Sequence, residues 1–236
     1  MTRTVTLQVA NLAAIATEAE AQAIPWMGAE ESDRLAAMGS QKRRRQFIAG
    51  HWLARVMAGQ LTDTHPCDWL LTTTSLGAPG LVRRDASTPR GLHLSLSHSG
   101  ETIAVAIADF PVGVDLESPA RTRDWLALAD HTFAPEEIAR LRAVAASEQQ
   151  DLFHSYWTLK EASGKRAGTG LQPSQARKQC AIACDECDAI AISWQFDGQH
   201  LALVGERGMQ ISARGIPGVA RRCAWRFETS VLAATS

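Results

Sequence analysis

Residues Val112-Gly-Val-Asp-Leu-Glu117 alternate apolar and polar side chains, the period-two pattern of a β-strand with one face in a core. Side chains two apart on a strand project to the same face, so Val114 and Leu116 point inward while Asp115 and Glu117 stand side by side. Two adjacent carboxylates repel each other, and a hard divalent cation with oxygen ligands would relieve them. Solvent-facing acids on an amphipathic strand explain the same pattern, so the stretch alone leaves both readings open.

The flanking sequence decides what kind of sheet this strand joins. Before it, Leu92, Leu94 and Leu96 alternate with His93, Ser95 and Ser97, and Thr102 to Ala108 is β-branched and apolar; both read as strands. Further back, Asp68 to Thr74 reads as a strand closed by the Gly77-Ala78-Pro79-Gly80 turn. Gln41 to Leu61 reads as a helix with Ile48, Trp52 and Val56 on one stripe and Lys42, Arg43, Arg44 and Arg45 in its first turn. Thr4 to Val9 reads as the first strand.

After Glu117, Arg121 to His131 and Pro135 to Ala146 read as helices, with Pro135 at a first helical position and Glu136 and Glu137 in the first turn. Ser147-Glu-Gln-Gln150 has the form of a capping box, opening a helix that runs to about Arg166 and stops at Gly168 and Gly170. Asp197-Gly198, set between Ala189 to Phe196 and Gln199 to Val204, is a hairpin signature, and Val219 to Glu228 makes a last strand. The order is α+β and mostly antiparallel, not a repeating βα pattern. A break near Val112 leaves two halves of similar size and content, 1–112 and 113–236.

Composition narrows the classes of function. The chain has 236 residues, 45% hydrophobic and 21% charged, an ordinary globular balance. A net charge of -1 gives no bulk attraction to nucleic acid or to an acidic membrane, although the Lys42 to Arg45 cluster can serve a phosphorylated small molecule. No apolar run reaches the ~20 residues of a membrane span, and Met1 to Leu12 lacks the apolar run of a secretory signal. A soluble, cytoplasmic, monomeric protein is expected. Cys180, Cys184 and Cys187 share the C-x3-C-x2-C spacing of some iron–sulfur sites. In the radical-SAM enzymes that use this spacing an aromatic residue is usual where Glu186 stands and a long βα barrel follows, whereas little chain follows here; against that cluster and against structural zinc, free thiols are the better reading.

Two further stretches bear on chemistry. In Trp157-Thr-Leu-Lys-Glu-Ala-Ser-Gly-Lys165, helical spacing puts Trp157, Glu161 and Lys165 on one stripe. A core tryptophan followed by a surface Glu–Lys pair would look the same. In Leu94-Ser-Leu-Ser-His-Ser99, His98 beside two serines could donate to a phosphate or be an ordinary polar strand end.

Taken in order, Ser-His-Ser, then Gly-x-Asp-x-Glu, then Trp-x-x-Lys-Glu-Ala-x-x-Lys resembles the 4′-phosphopantetheinyl transferases, most closely the Sfp-type class with a W/KEA motif. The resemblance spans Gln41 to Leu171, takes in the Arg55 helix and the Gly-Thr-Gly-Leu171 run, and barely touches the last 60 residues or so. It implies two related α+β halves packed as a pseudo-dimer about a pseudo-twofold axis. It implies transfer of the phosphopantetheine arm of coenzyme A to a serine of an apo acyl, polyketide or peptidyl carrier protein, releasing adenosine 3′,5′-bisphosphate. On the same resemblance Asp115, Glu117 and Glu161 would hold Mg²⁺, and Lys165 and Lys160 would bind phosphate oxygens. Ser97 and His98 would contact the 3′-phosphate region of coenzyme A, with Arg45 as a further phosphate contact. Glu161 is also a candidate general base, with a metal-bound water as the alternative. The basic cluster could instead dock an acidic carrier helix.

Two positions depart from the family pattern. Ala78 stands where many relatives have a lysine, with Arg83 or Arg84 as candidate substitutes, and an expected arginine is replaced at Gln46 or His51. A non-catalytic module binding coenzyme A or a carrier, or another Mg²⁺-dependent phosphodiesterase, are the alternative functions.

Overall fold

A computed structural model describes residues 3–74, 77–85, 91–118 and 124–231. The chain forms two compact units, Met1–Val112 with Gln210–Ile216, and Gly113–Met209 with Pro217–Ser236. The architecture is α+β, as the element order predicts.

The first unit begins with β1 (Thr4–Asn11) and α1 (Leu12–Glu20), whose start is fixed by the Asn11 side chain accepting from Ala14 N. Next come α2 (Ala29–Ala36) and the long α3 (Gln41–Thr62). Ser40 caps the N-terminus of α3, and Asp63 ends it in the left-handed region. The strands β2 (Trp69–Thr73), β3 (Pro79–Arg83), β4 (His93–Ser99) and β5 (Thr102–Ala108) follow. Leu53, Ala54 and Met57 of α3 pack with Leu94, Ile103, Val105 and Ile107 of the sheet. Gly50 of α3 faces the Ile103 and Leu96 side chains of the sheet.

The second unit opens with β6 (Gly113–Glu117) and continues through α4 (Trp125–Thr132), α5 (Pro135–Ala143) and the long α6 (Ala146–Arg166). The short α7 (Pro173–Ala176) leads to β7 (Gln179–Ala183), β8 (Ala191–Phe196) and β9 (Gln199–Val204). Then come β10 (Gln210–Arg214) and β11 (Arg221–Thr229). Phe153, Tyr156, Leu159 and Ala162 of α6 pack with Ala191, Ala202, Val204 and Trp225 of the sheet.

The strand orders are β10-β1-β5-β4-β3-β2 and β6-β9-β8-β11-β7. The two units share a plan: a first strand, a long helix, and a later hairpin whose second strand returns to pair with the first. In one the hairpin is β4–β5 with β5 beside β1, and in the other β8–β9 with β9 beside β6. The β8–β9 turn is made by Asp197 and Gly198, both at positive φ, as the Asp-Gly signature requires.

Several details differ from the sequence expectation. The strand β10 falls within 113–236 yet belongs to the first unit, where it pairs in parallel with β1. The capping box at Ser147 does not form: the cap position falls two residues earlier, at Ala145, with no side-chain cap bond. Residues 121–123 of the helix expected over Arg121 to His131 lie outside the described residues, and α4 starts at Trp125 with Asp124 accepting from Ala127 N.

Candidate active site

Steric need places β6 against α6. Gly113 has no room for a side chain: a Cβ there would collide with the Ala162 carbonyl oxygen and approach Arg166 N. The close approach brings the face of β6 that carries Gly113, Asp115 and Glu117 onto the helix, while Val114 and Leu116 are buried on the opposite face. Asp115 is only 4% exposed, so it is no surface acid.

The buried Asp115 carboxylate is met by a cation from the helix, Lys165 Nζ donating to its Oδ1 at 2.7 Å. Glu161 lies one turn before Lys165 on the same side of α6. Burial pushes the Glu161 carboxyl above the usual range, and the Asp115 charge adds to the push, while Lys165 opposes it. The three side chains are therefore electrostatically coupled, and a proton on Glu161 is held more firmly than on a solvated glutamate. Glu117 is half-buried and sits opposite His200 across the β6–β9 ladder.

The donor set fits a hard divalent cation in chemistry: carboxylate oxygens, at least two of them close enough to raise each other's energy. In the arrangement described, Asp115 faces Lys165, and among the described residues no three His, Cys, Asp or Glu side chains form a ready-made metal cluster.

Lys160 differs from the phosphate contact expected of it. Its side chain is 1% exposed, and its ammonium is directed at Glu137 Oε2 at 2.9 Å, at Ala176 O at 2.7 Å and at Gln179 O. Those partners use its three protons. Glu137 in turn accepts from Ala134 N at 2.8 Å and Ala181 N at 2.7 Å. The pair is a buried, fully bonded tie between α5, α6 and the segment leading into β7. Burial pushes Glu137 up and Lys160 down, each opposed by the other's charge.

The small residues of the W/KEA helix have a steric cause as well. Gly164 lies under the chain where it turns back, since a Cβ there would collide with Gly170 O, and Gly170 itself is at positive φ. Thr169 N and Gly170 N both donate to Gly164 O, at 3.2 and 3.1 Å. Trp157 stacks on Phe153 at 5.7 Å between ring centroids and joins the edge of the core.

In the first unit, Ser97 and His98 are consecutive residues of β4 and so project to opposite faces; Ser97 is buried and His98 exposed. Arg45 is exposed on the first turns of α3. Its neighbour Arg44 has a structural task, donating to Leu35 O at 2.6 Å at the end of α2. Arg84, one candidate substitute for the lysine absent at Ala78, donates to Cys67 O at 2.7 Å and Trp26 O at 2.8 Å. Arg83 is paired with Asp85 at 2.9 Å.

Sequence reasoning missed two groups of buried polar residues. In the first unit, Glu31 of α2 accepts from Gly28 N at 3.0 Å and His51 Nδ1 at 2.6 Å, and it also pairs with Arg55. Burial pushes the Glu31 carboxyl up, but these partners overrule it and lower it to about 2. Arg55 also donates to Trp69 O at 3.1 Å and His51 O at 2.9 Å, so this completely buried guanidinium ties α2, α3 and β2 together. In the second unit, His200 and His154 lie 5.4 Å apart between ring centroids. Burial lowers the His200 pKa, opposed by Asp151. The pairing of β6 with the Asp-Gly hairpin would have flagged His200 as the neighbour of Glu117.

An α+β chain that sets a buried aspartate beside a half-buried glutamate and a helix lysine matches a known class. The family model described as the 4′-phosphopantetheinyl transferase superfamily matches residues 111–230. The chain belongs to this superfamily. It is 34% identical over 132 residues to the 4′-phosphopantetheinyl transferase HetI of Nostoc sp., covering 55% of this chain and 54% of that one. It is 34% identical over 154 residues to the 4′-phosphopantetheinyl transferase Sfp of Bacillus subtilis, covering 60% and 66%. It is 34% identical over 138 residues to the 4′-phosphopantetheinyl transferase AcpT of Salmonella typhi, covering 58% and 66%. The chain thus spans about half to two thirds of the length of the curated relatives it matches. No helix among the described residues is long and apolar enough to cross a membrane.

Proposed function

We propose that this chain transfers the 4′-phosphopantetheine arm of coenzyme A to a serine of an apo carrier protein, with Mg²⁺, releasing adenosine 3′,5′-bisphosphate. The observation that carries the reading is the nest of Asp115, Glu161 and Lys165, which lies inside the segment matched by the family model. In the reaction the serine oxygen forms a bond to the phosphorus next to the pantetheine. The bond from that phosphorus to the bridging oxygen breaks, and the leaving bisphosphate keeps the electron pair.

The residues then divide the work. Asp115, Glu117 and Glu161 would hold Mg²⁺, which when bound would offset charge on the pyrophosphate. Lys165 supplies a mobile point charge to phosphate oxygens as negative charge grows on the leaving group. Glu161, or a water beside the metal site, would accept the proton of the serine. Ser97, His98 and Arg45 would contribute to binding coenzyme A from the first unit. The protein would act as a soluble cytoplasmic monomer.

The test is to incubate the protein with coenzyme A, Mg²⁺ and several apo carriers and follow the carrier's mass. Transfer that disappears with EDTA is expected. No transfer to any carrier, with or without EDTA, refutes the proposal. Release of the bisphosphate without any acceptor would assign a phosphodiesterase instead.

A further inference from the structure

Lys165 is a cation already seated on one of the carboxylates assigned to the metal. Its Nζ lies 2.7 Å from Asp115 Oδ1, and the two side chains differ in burial, 28% exposed for the lysine and 6% for the aspartate. The aspartate is fixed in the wall of the second unit, whereas the lysine reaches it from the more open side on a flexible stem. Glu161 sits four residues before Lys165, so both project from the same side of α6. One ammonium thus serves two carboxylates: it bonds Asp115 and counters the effect of burial and of Asp115 on Glu161. Lys160, the other lysine of this stretch of α6, is committed to Glu137 and to two backbone carbonyls.

We propose that Lys165 is a placeholder cation, which neutralises Asp115 while no metal is bound and is displaced towards the anionic co-substrate when a divalent ion takes its place. The inference rests on the metal reading above. Its physical basis is that an ammonium and a divalent ion cannot both touch one carboxylate oxygen without repelling each other. Before the metal arrives, the lysine compensates the buried Asp115 carboxylate beside the half-buried Glu161. Afterwards its charge is released at the end of α6, where a phosphate can collect it. Metal and co-substrate would then assist each other's binding, because each favours the same position of Lys165.

The test compares Mg²⁺ binding by calorimetry for wild type, Lys165→Met and Asp115→Asn, all without coenzyme A. Lys165→Met should bind Mg²⁺ about tenfold more tightly than wild type, having no ammonium to displace, and Asp115→Asn should bind at least about tenfold more weakly. Equal or weaker binding by Lys165→Met overturns the placeholder and leaves the metal reading standing. Absence of binding in all three proteins overturns both. A second measurement uses wild type, so that no substitution can disturb the fold. The ¹⁵N resonance of the Lys165 ammonium, assigned by its loss in Lys165→Met, should be protected from exchange without metal and lose that protection at saturating Mg²⁺. A resonance that does not respond to Mg²⁺ overturns the proposal.

Discussion

Replacing Lys160 with methionine should damage the fold of the second unit more than the affinity for coenzyme A. The side chain is 1% exposed and its partner Glu137 is completely buried, so no water can replace a lost partner. Removing one member of such a pair leaves the other charge uncompensated, at a cost of about 3–5 kcal/mol. Set against a total stability of about 5–15 kcal/mol for a typical domain, that is a large fraction. Lys160→Met also frees Ala176 O and Gln179 O, whereas Glu137→Gln keeps the shape of the side chain and loses the charge. Urea unfolding of wild type, both single variants and the double variant forms a cycle that isolates the coupling between the two side chains. The singles should each lose several kcal/mol, and the double should lose clearly less than their sum, because it leaves no isolated charge. A Lys160→Met protein that unfolds within about 0.5 kcal/mol of wild type, the range of an inconsequential surface change, but binds coenzyme A poorly would refute this placement and return the lysine to the phosphates.

Other substitutions probe the rest of the site and the scaffold. Glu117→Ala and Glu161→Ala should each abolish carrier modification in a mass-spectrometric assay while circular dichroism stays native; normal activity in either would contradict the metal assignment. Gly113→Ala should destabilise the second unit by about 1–3 kcal/mol or more, since its Cβ would meet the Ala162 carbonyl; a melting temperature equal to wild type would show that β6 and α6 are further apart. Glu31 should make stability depend on acid. Its folded pKa of about 2 lies below the ordinary 4.5, so its contribution is present above about pH 4.5 and is lost as pH falls towards 2. Denaturant titrations over that window should show a shallower fall for Glu31→Gln than for wild type, and parallel curves would argue against the buried pairing.

The elements that could be read from sequence are those whose local chemistry allows one answer. Thr102 to Ala108 is β-branched and apolar, and β5 has those bounds. Asp197-Gly198 accepts the positive φ that a tight hairpin demands, and the turn is there. By contrast α1 is short and buries mainly small side chains, Ala16 and Ala19 beside Leu12, so its stripe is faint and the Asn11 cap is its clearest mark. Within the candidate site, Asp115 was ambiguous because an alternating strand looks alike whether its polar face meets water or a helix; Gly113, which permits the contact, resolves it. The roles of Lys160 and Lys165 could have been separated by helical geometry. At 3.6 residues per turn, Glu161 and Lys165 lie about 40° apart around the axis, and Lys160 and Lys165 about 140° apart. The two lysines therefore face different neighbours, and only one can share a site with Glu161. What no local pattern reveals is the partner of a buried charge: Glu31 with Arg55, or Glu137 with Lys160, are pairs brought together by tertiary folding.

The strand β10 carries a consequence for how the molecule is made. It runs parallel to β1, with Thr4 opposite Gln210 and Gln8 opposite Arg214, and Gly215 passes so close to Val9 that a Cβ would strike its carbonyl. A ribosome that has released residues 1–112 has therefore not yet supplied every strand of the first sheet. Until residue 214 emerges, β1 presents an open edge with unpaired backbone groups, the kind of edge that invites pairing with other chains. The last strand to join this sheet is synthesised only after most of the second unit. A fragment cut at Val112 would carry that open edge permanently.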